Sequence, residues 1–337
     1  GMEGGSGSAA SSRNSSSNSI ASLKMEEAKT GAVMFFKSHT TADMLPESAK
    51  VTVLHSEVSL KHVFLILHAN EIPAACVWDD AAGDFAGVVS VKDLSRLVMS
   101  LKDHPEKTLK EVAEGISIRQ WFEANPRKTR GGRQIEAGPD DTLWDVCQLL
   151  CADTRWVPVV ERNPDTGAVL QMVAYNLIIR YLIYQQFHQE LEMLGEPLSD
   201  LGIGTFGSKV VTASANTPFG EILQILADKS ISSIPILNDD GTLLDVFCQT
   251  DILIWAAKEL DYDPSLSARD ALALRSGPKD VTRLHTCNSS DPFSSILKKF
   301  AASRARRLVC VSPEHVVEGV VTLSDIFRFF LTPTSPA

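Results

Sequence analysis

Three aspartates recur in near-identical settings: Asp93 in GVVSVKDLSRLVM, Asp251 in DVFCQTDILIWAA and Asp325 in GVVTLSDIFRFFL. In each, an apolar run reaches a small residue (Ser90, Cys248 or Thr322). The carboxylate follows three positions later, where the pattern turns helical. An ionised aspartate only accepts hydrogen bonds. That suits a ribose, whose two adjacent hydroxyls can both donate to one carboxylate. The amides of the same helix N-terminus can receive a phosphate. An aspartate at a helix start also caps the helix or complements its dipole, and that reading covers any single copy. Three copies at matching positions favour the sugar.

Cations for a phosphate stand in one slot. Arg304, Arg306 and Arg307 precede the apolar run LVCV, and Arg155 precedes VPVV at the equivalent place. A planar guanidinium binds phosphate bidentately. Arg304 reads as a solvated helix end. Arg155, Arg306 and Arg307 read as ligand contacts, because the slot is cationic in two different segments.

These residues need a repeated frame. A fourth segment, QMVAYNLIIRYLI, carries the same apolar pattern with Leu177 in the Asp position, so the four positions are 93, 177, 251 and 325, in steps of 84, 74 and 74 residues. Upstream of each lies a helix-patterned stretch: VSLKHVFLILHAN, DTLWDVCQLLCAD, TPFGEILQILADK and DPFSSILKKFAAS. Thr217-Pro218 and Asp291-Pro292 read as an N-cap followed by Pro at the first helical position. Short apolar strands follow (ACVW, VPVV, IPIL, LVCV), then a polar turn, a second strand and the helix that carries the Asp position. Each unit is helix, strand, turn, strand, helix, preceded by a short extended piece. The class is α/β (α+β). A unit of roughly 60 residues is marginal alone, and pairing would bury its sheet and helix faces.

Composition narrows the function. The chain has 337 residues, 44% of them apolar, and a net charge of −10. That charge argues against a general nucleic-acid binder. The six cysteines form no C-x-x-C and read as small buried hydrophobes in a reducing compartment. No apolar run approaches a membrane span, and no signal peptide is recognisable. Residues 1–32, rich in Gly and Ser, read as a disordered tail, and TPTSPA at the C-terminus as loose. No P-loop, H-E-x-x-H or G-x-S-x-G occurs, the repeats take up the ordered chain, and an enzyme is not expected.

Four tandem units ending in G-h-h-[S/T]-x-x-D resemble cystathionine-β-synthase (CBS) domains in two Bateman pairs. More narrowly, the chain resembles the γ regulatory subunits of the AMP-activated and sucrose-nonfermenting protein kinases. The marks run from Phe35 to Leu331: FFKSHTTADMLPESAKVTVLHSEVSL, AACVWDDAAGDFAGVVSVKDL, SIRQWFE, LGIGTF and RRLVCVSPEHVVEGVVTLSDIFRFFL. The sequence Asp, none, Asp, Asp matches that family's own pattern.

The resemblance implies four CBS repeats, at 35–100, 115–187, 195–260 and 266–331, in a disk with nucleotide clefts. It implies AMP, ADP or ATP as regulatory ligands and no metal or redox cofactor. Asp93, Asp251 and Asp325 would hold riboses. Arg155, Arg306, Arg307, Thr322, Ser324 and Ser232 would face phosphate or sugar, and Thr205 and Val210 would flank an adenine. Pro73 and Trp156 stand where the family has phosphate-binding arginines, and Asn176 replaces a cation. The first site is therefore expected to be the weakest and the fourth the most intact. Implied partners are a catalytic α kinase subunit and a β scaffold subunit, without nucleic acid or membrane, in the cytoplasm and also the nucleus. No carbohydrate-binding module is expected ahead of the repeats. The alternative is a CBS-repeat scaffold that assembles the kinase without sensing nucleotide.

Overall fold

Apolar residues at i, i+3, i+4 and i+7 form the first helix of every unit. They are Leu60, Val63, Phe64 and Leu67 in Leu60–Ala69, and Leu143, Val146, Cys147 and Leu150 in Leu143–Ala152. Phe219, Ile222, Leu223 and Leu226 do the same in Phe219–Asp228, and Phe293, Ile296, Leu297 and Phe300 in Phe293–Ala302. All sixteen side chains are buried. Burying one such side chain contributes about 1.5–3 kcal/mol before ordering costs. In the computed structural model, the described residues are 9–47, 49–101, 107–130, 132–152, 154–162, 167–185, 194–257, 263–275, 284–303 and 305–332.

The strands repeat as closely as the helices. In unit one, Val53–His55 runs parallel to Ala74–Asp79, which pairs antiparallel with Asp84–Ser90. Ala213–Ser214, Ser233–Leu237 and Leu243–Cys248 repeat this in unit three, and Thr286–Cys287, Arg307–Val311 and Val317–Thr322 in unit four. Unit two has the hairpin Val157–Arg162 with Gly167–Val173, and a parallel bridge from Ala137 to Val159 stands in for the first strand. The hairpin register shifts at matching places, between Val77 and Trp78, Val159 and Val160, Ile236 and Leu237, and Cys310 and Val311. The small residue ends its strand and caps the next helix. Ser90 lies opposite Ala74, Cys248 opposite Ser233, and Thr322 opposite Arg307. Register alone therefore sets an arginine beside the cap of unit four.

Units associate in two ways. One core joins the helices of unit one with those of unit three, and includes Leu94, Leu97, Phe219 and Ile252. A second joins unit two with unit four, and includes Ile178, Leu182, Ile296, Phe327 and Phe330. Sheet faces make the other contacts: Arg162 of unit two pairs with Asp84 of unit one, and Val246 and Cys248 pack on Val309 and Val311. A strand from the start of unit three, Thr205–Phe206, adds to the edge of unit four against Gly319 and Val320.

The close approach there depends on two glycines. A Cβ on Gly319 would lie 2.6 Å from Phe206 Cε1, and one on Gly204, at φ +114°, would lie 2.9 Å from the Val320 carbonyl. Gly319→Val is expected to cost about 1–3 kcal/mol through overpacking, read as a lower urea midpoint. An unchanged midpoint would show that the added strand yields freely.

Three sequence expectations need correction. The tail is helical over Ala9–Ser38, and Met25, Ala28, Ala32, Phe35 and Phe36 bury against units two and four. Their near-helical spacing was hidden by the Gly/Ser-rich composition ahead of them; residues 1–8 lie outside the described set. Pro218 and Pro292 are the N-caps, with extended ψ of 139° and 140°, rather than the first helical residues. Thr217 instead accepts from the Ser214 amide and closes the preceding turn. Among the cysteines, Cys151 is exposed and receives the Tyr175 hydroxyl at 2.8 Å, whereas the other five are buried. Arg304, residues 333–337 and the proposed unit ends at 187 and 260 lie outside the described residues.

Candidate functional site

The repeated aspartate is first a cap. Asp93 Oδ2 accepts from the Ser90 amide at 2.8 Å, Asp251 Oδ2 from the Cys248 amide at 2.7 Å, and Asp325 Oδ2 from the Thr322 amide at 2.9 Å. Ser90 and Thr322 add their hydroxyls to the same oxygens. This reciprocal cap satisfies amides that a helix start would leave unpaired. At Leu177 of unit two no carboxylate exists, and the Leu177 amide turns back to the Ala174 carbonyl.

What distinguishes the copies is the rest of the carboxylate. Asp93 is fully buried, and its Oδ1 receives Trp121 Nε1 at 3.1 Å and Arg127 Nη2 at 2.7 Å. All four of its acceptor positions are then filled. Asp251 is also buried, with Arg275 Nη1 3.7 Å from its Oδ2 and Arg275 Nη2 on Asp245 at 3.1 Å. Asp325 is different. Its side chain is 19% exposed, and among the described residues its Oδ1 meets only the exposed Arg328, at 3.3 Å.

Asp325 opens on a cavity of about 550 Å³. Arg155, Arg306, Arg307, Thr322, Ser324, Ser232, Thr205 and Val210 line it as well. Nine of the eleven residues singled out from the sequence thus meet in one place, drawn from units two, three and four and from the added strand. Asp93 and Asp251 do not line this cavity. Trp121 and Arg127, at the start of unit two, hold the Asp93 carboxylate, and Arg275, at the start of unit four, stands beside Asp251.

Unit four's arginine pair ties the units together. Arg307 donates to Cys248 Sγ at 2.6 Å and to Ser232 Oγ at 3.3 Å, both in unit three. Arg306 lies over the Trp156 ring of unit two, 5.4 Å from its centroid. Trp156 replaces a cation by resemblance, and here it supplies a π face for one. Burial first, and then the neighbouring Arg307 and Arg155, lower the Arg306 pKa to about 10. Arg155 is lowered by burial and then by Arg307. Arg307 and Arg155 thus disfavour the charge on Arg306.

The sign of that strain can be read out. A base whose folded pKa is lowered to about 10 binds fewer protons folded than unfolded between that value and its ordinary, higher one. Stability therefore rises with pH through that window, and the cost is fully present at neutral pH. Arg306→Leu is expected to raise the ligand-free thermal midpoint at neutral pH while weakening anion binding. A lowered midpoint would mean that the stacking on Trp156 outweighs the repulsion.

Sequence reading missed Lys209, Lys229, Gln249 and Arg328, which also line the cavity. Gln249 Oε1 is buried with no hydrogen-bond partner among the described residues, an acceptor available to a donor group. Only Arg328 carried a usable signal, three residues beyond Asp325 on the same helix face.

Comparison with known proteins agrees with this architecture. The CBS domain family model matches residues 44–100, 203–258 and 279–332, the three units that carry the aspartate. The chain is 29% identical over 315 residues to the 5′-AMP-activated protein kinase subunit gamma of Dictyostelium discoideum, covering 91% of this chain and 54% of that protein. It is 27% identical to the same-named subunit of Kluyveromyces lactis, over 88% of this chain and 90% of that one. This chain thus spans about half the length of the Dictyostelium relative. Among solved structures, a Methanocaldococcus jannaschii protein described as a candidate archaeal homologue of γ-AMPK superposes with a TM-score of 0.64 at 11% identity, over 87% of this chain and all of that one. No helix among the described residues is long and apolar enough to cross a membrane. CBS domains are non-catalytic, and the chain is not an enzyme. Its segments 44–100, 203–258 and 279–332 match CBS domains, unit two repeats their order of elements, and the chain resembles the γ subunits of 5′-AMP-activated protein kinase.

Proposed function

We propose that the chain is the adenine-nucleotide-sensing regulatory subunit of a heterotrimeric protein kinase, and that it binds AMP, ADP or ATP in the cavity at Asp325. The observation that carries this reading is the convergence of Asp325, Arg306, Arg307, Arg155 and Ser232 on one space. The Asp325 carboxylate takes the ribose hydroxyls, and the arginines take the phosphates. Thr205 and Val210 flank the base, Thr322 and Ser324 approach the sugar and phosphate, and Gln249 Oε1 can accept from an exocyclic amine. A volume of about 550 Å³ suits one nucleotide.

AMP, ADP and ATP share adenosine and differ in phosphate charge. Regulation requires that one of them bind more tightly to one arrangement of the complex. That arrangement is then favoured by the nucleotide, reciprocally with its affinity. The relatives' shared name supports a kinase complex as the partner. The catalytic α subunit and the β scaffold are the proposed companions.

Titration calorimetry of the chain with AMP and ATP tests the reading. A saturable site is expected. No heat and no thermal shift at millimolar nucleotide would leave a scaffold that assembles a kinase without sensing.

A further inference from the structure

A second cavity, of about 390 Å³, opens between units one and two. Its wall carries Lys92, Arg96, Arg127, Lys128, Arg155 and Arg328, and no carboxylate lines it. In a chain of net charge −10 that concentration of one sign is not a composition effect. It also opposes stability. Lys92 and Arg96 stand one turn apart on the helix Val91–Ser100, where like charges repel. Burial lowers the Lys92 pKa first, and Arg96, Arg155 and Lys128 add to the shift, with only Asp93 opposing. Lys92, Arg96 and Arg155 form no ion pair among the described residues.

The cavity has the wrong equipment for a nucleoside. Asp93, the acid that would hold a ribose here, has both oxygens committed to Ser90, Trp121 and Arg127. Arg127 is fixed by that bond and by its stack on Phe122, 4.0 Å from the ring centroid. Its Nε is buried without a hydrogen-bond partner among the described residues, a donor in a wall of donors. Such a wall answers to several anionic oxygens close together.

We propose that this cleft is a sugar-independent polyanion site, which takes a compact ligand bearing two or more linked phosphate groups. The inference goes beyond the adenine-nucleotide reading and does not depend on it. Phosphates supply acceptors for Lys92, Arg96 and the Nε of Arg127. The Asp93–Arg127 pair excludes the ribose contact that would make the site nucleoside-selective.

Inorganic diphosphate, titrated into the full chain by calorimetry, is the probe. One saturable site is expected, with affinity reduced about tenfold or more in the doubly substituted Lys92→Ala/Arg96→Ala protein, since each lost charge-assisted contact is worth roughly 1.5–3 kcal/mol. Both side chains are exposed, and an unchanged thermal midpoint checks that the double variant folds. The two cavities meet along Arg155, Trp156, Tyr175, Ser324 and Arg328, but Arg307 lines only the first, so Arg307→Ala should leave diphosphate affinity within about twofold. Adenosine should give no heat in this cleft, and AMP binding should survive Lys92→Ala/Arg96→Ala. Diphosphate binding lost in Arg307→Ala but kept in Lys92→Ala/Arg96→Ala would place the anion in the nucleotide cavity and overturn the proposal. So would absence of diphosphate heat at millimolar concentration.

Discussion

Asp325→Asn is expected to lower AMP affinity by about tenfold to a hundredfold, because hydrogen bonds to a charged group contribute roughly 1.5–3 kcal/mol. Thermal stability should barely change. The amide oxygen can still accept from Thr322, as Oδ2 does at 2.9 Å and 2.7 Å in the native chain, so the cap survives. What is lost is the second acceptor, turned to the cavity. Asp325→Ala should lose the same affinity and about 1 kcal/mol of stability as well, the usual cost of a missing cap. Calorimetry and thermal melts on the two variants separate cap from sugar contact. Equal affinity of the Asn variant and the native chain would reduce Asp325 to a cap.

The second large effect concerns a copy of the same aspartate. Arg127→Ala is expected to destabilise the chain by about 3–5 kcal/mol, since it strands a buried carboxylate. Asp93 is 1% exposed and Arg127 18%, so solvent screens the pair little. Adding Asp93→Asn to Arg127→Ala should recover part of the loss, because the orphaned charge is removed with its partner. Urea midpoints of the native chain, both single variants and the double variant measure the coupling. Strict additivity would show that the two residues act separately. By contrast, the exposed pair His55–Asp80 should contribute little on either side of its removal.

The contrast between Asp93 and Asp325 marks how far sequence could reach. The strand-to-helix junctions were legible because they are local. A strand ends, a small residue caps, and an acid three residues on closes the box. Helix faces such as Phe219, Ile222, Leu223 and Leu226 were legible for the same reason. The convergence of Arg155, Arg306 and Arg307 was legible because a repeated slot puts equivalent residues at equivalent ends of a hairpin. The fate of Asp93 was not. Its partners Trp121 and Arg127 lie 28 and 34 residues away, on and just after the helix Ile118–Ala124, and the matching helix of unit three, Ala268–Ala273, has Ala271 where Trp121 stands. No periodicity could point to them. The N-terminal helix was missed because its contacts with Phe327 and Phe330 depend on where unit four sits, which Phe36 alone does not announce. The choice of partners, unit one with three and unit two with four through helices, likewise arises from matching surfaces rather than from any local pattern.

The central claim is that a repeated helix cap becomes a ligand site only where its second oxygen remains available and neighbouring arginines lack an anion. A crystal structure of the chain grown with AMP tests it most directly. The account predicts nucleotide density beside Asp325, with the ribose hydroxyls on Oδ1 and the phosphate among Arg306, Arg307 and Arg155, and none with its sugar on Asp93. An empty cavity at Asp325, or a ribose held by Asp93 after Arg127 has swung away, would contradict it.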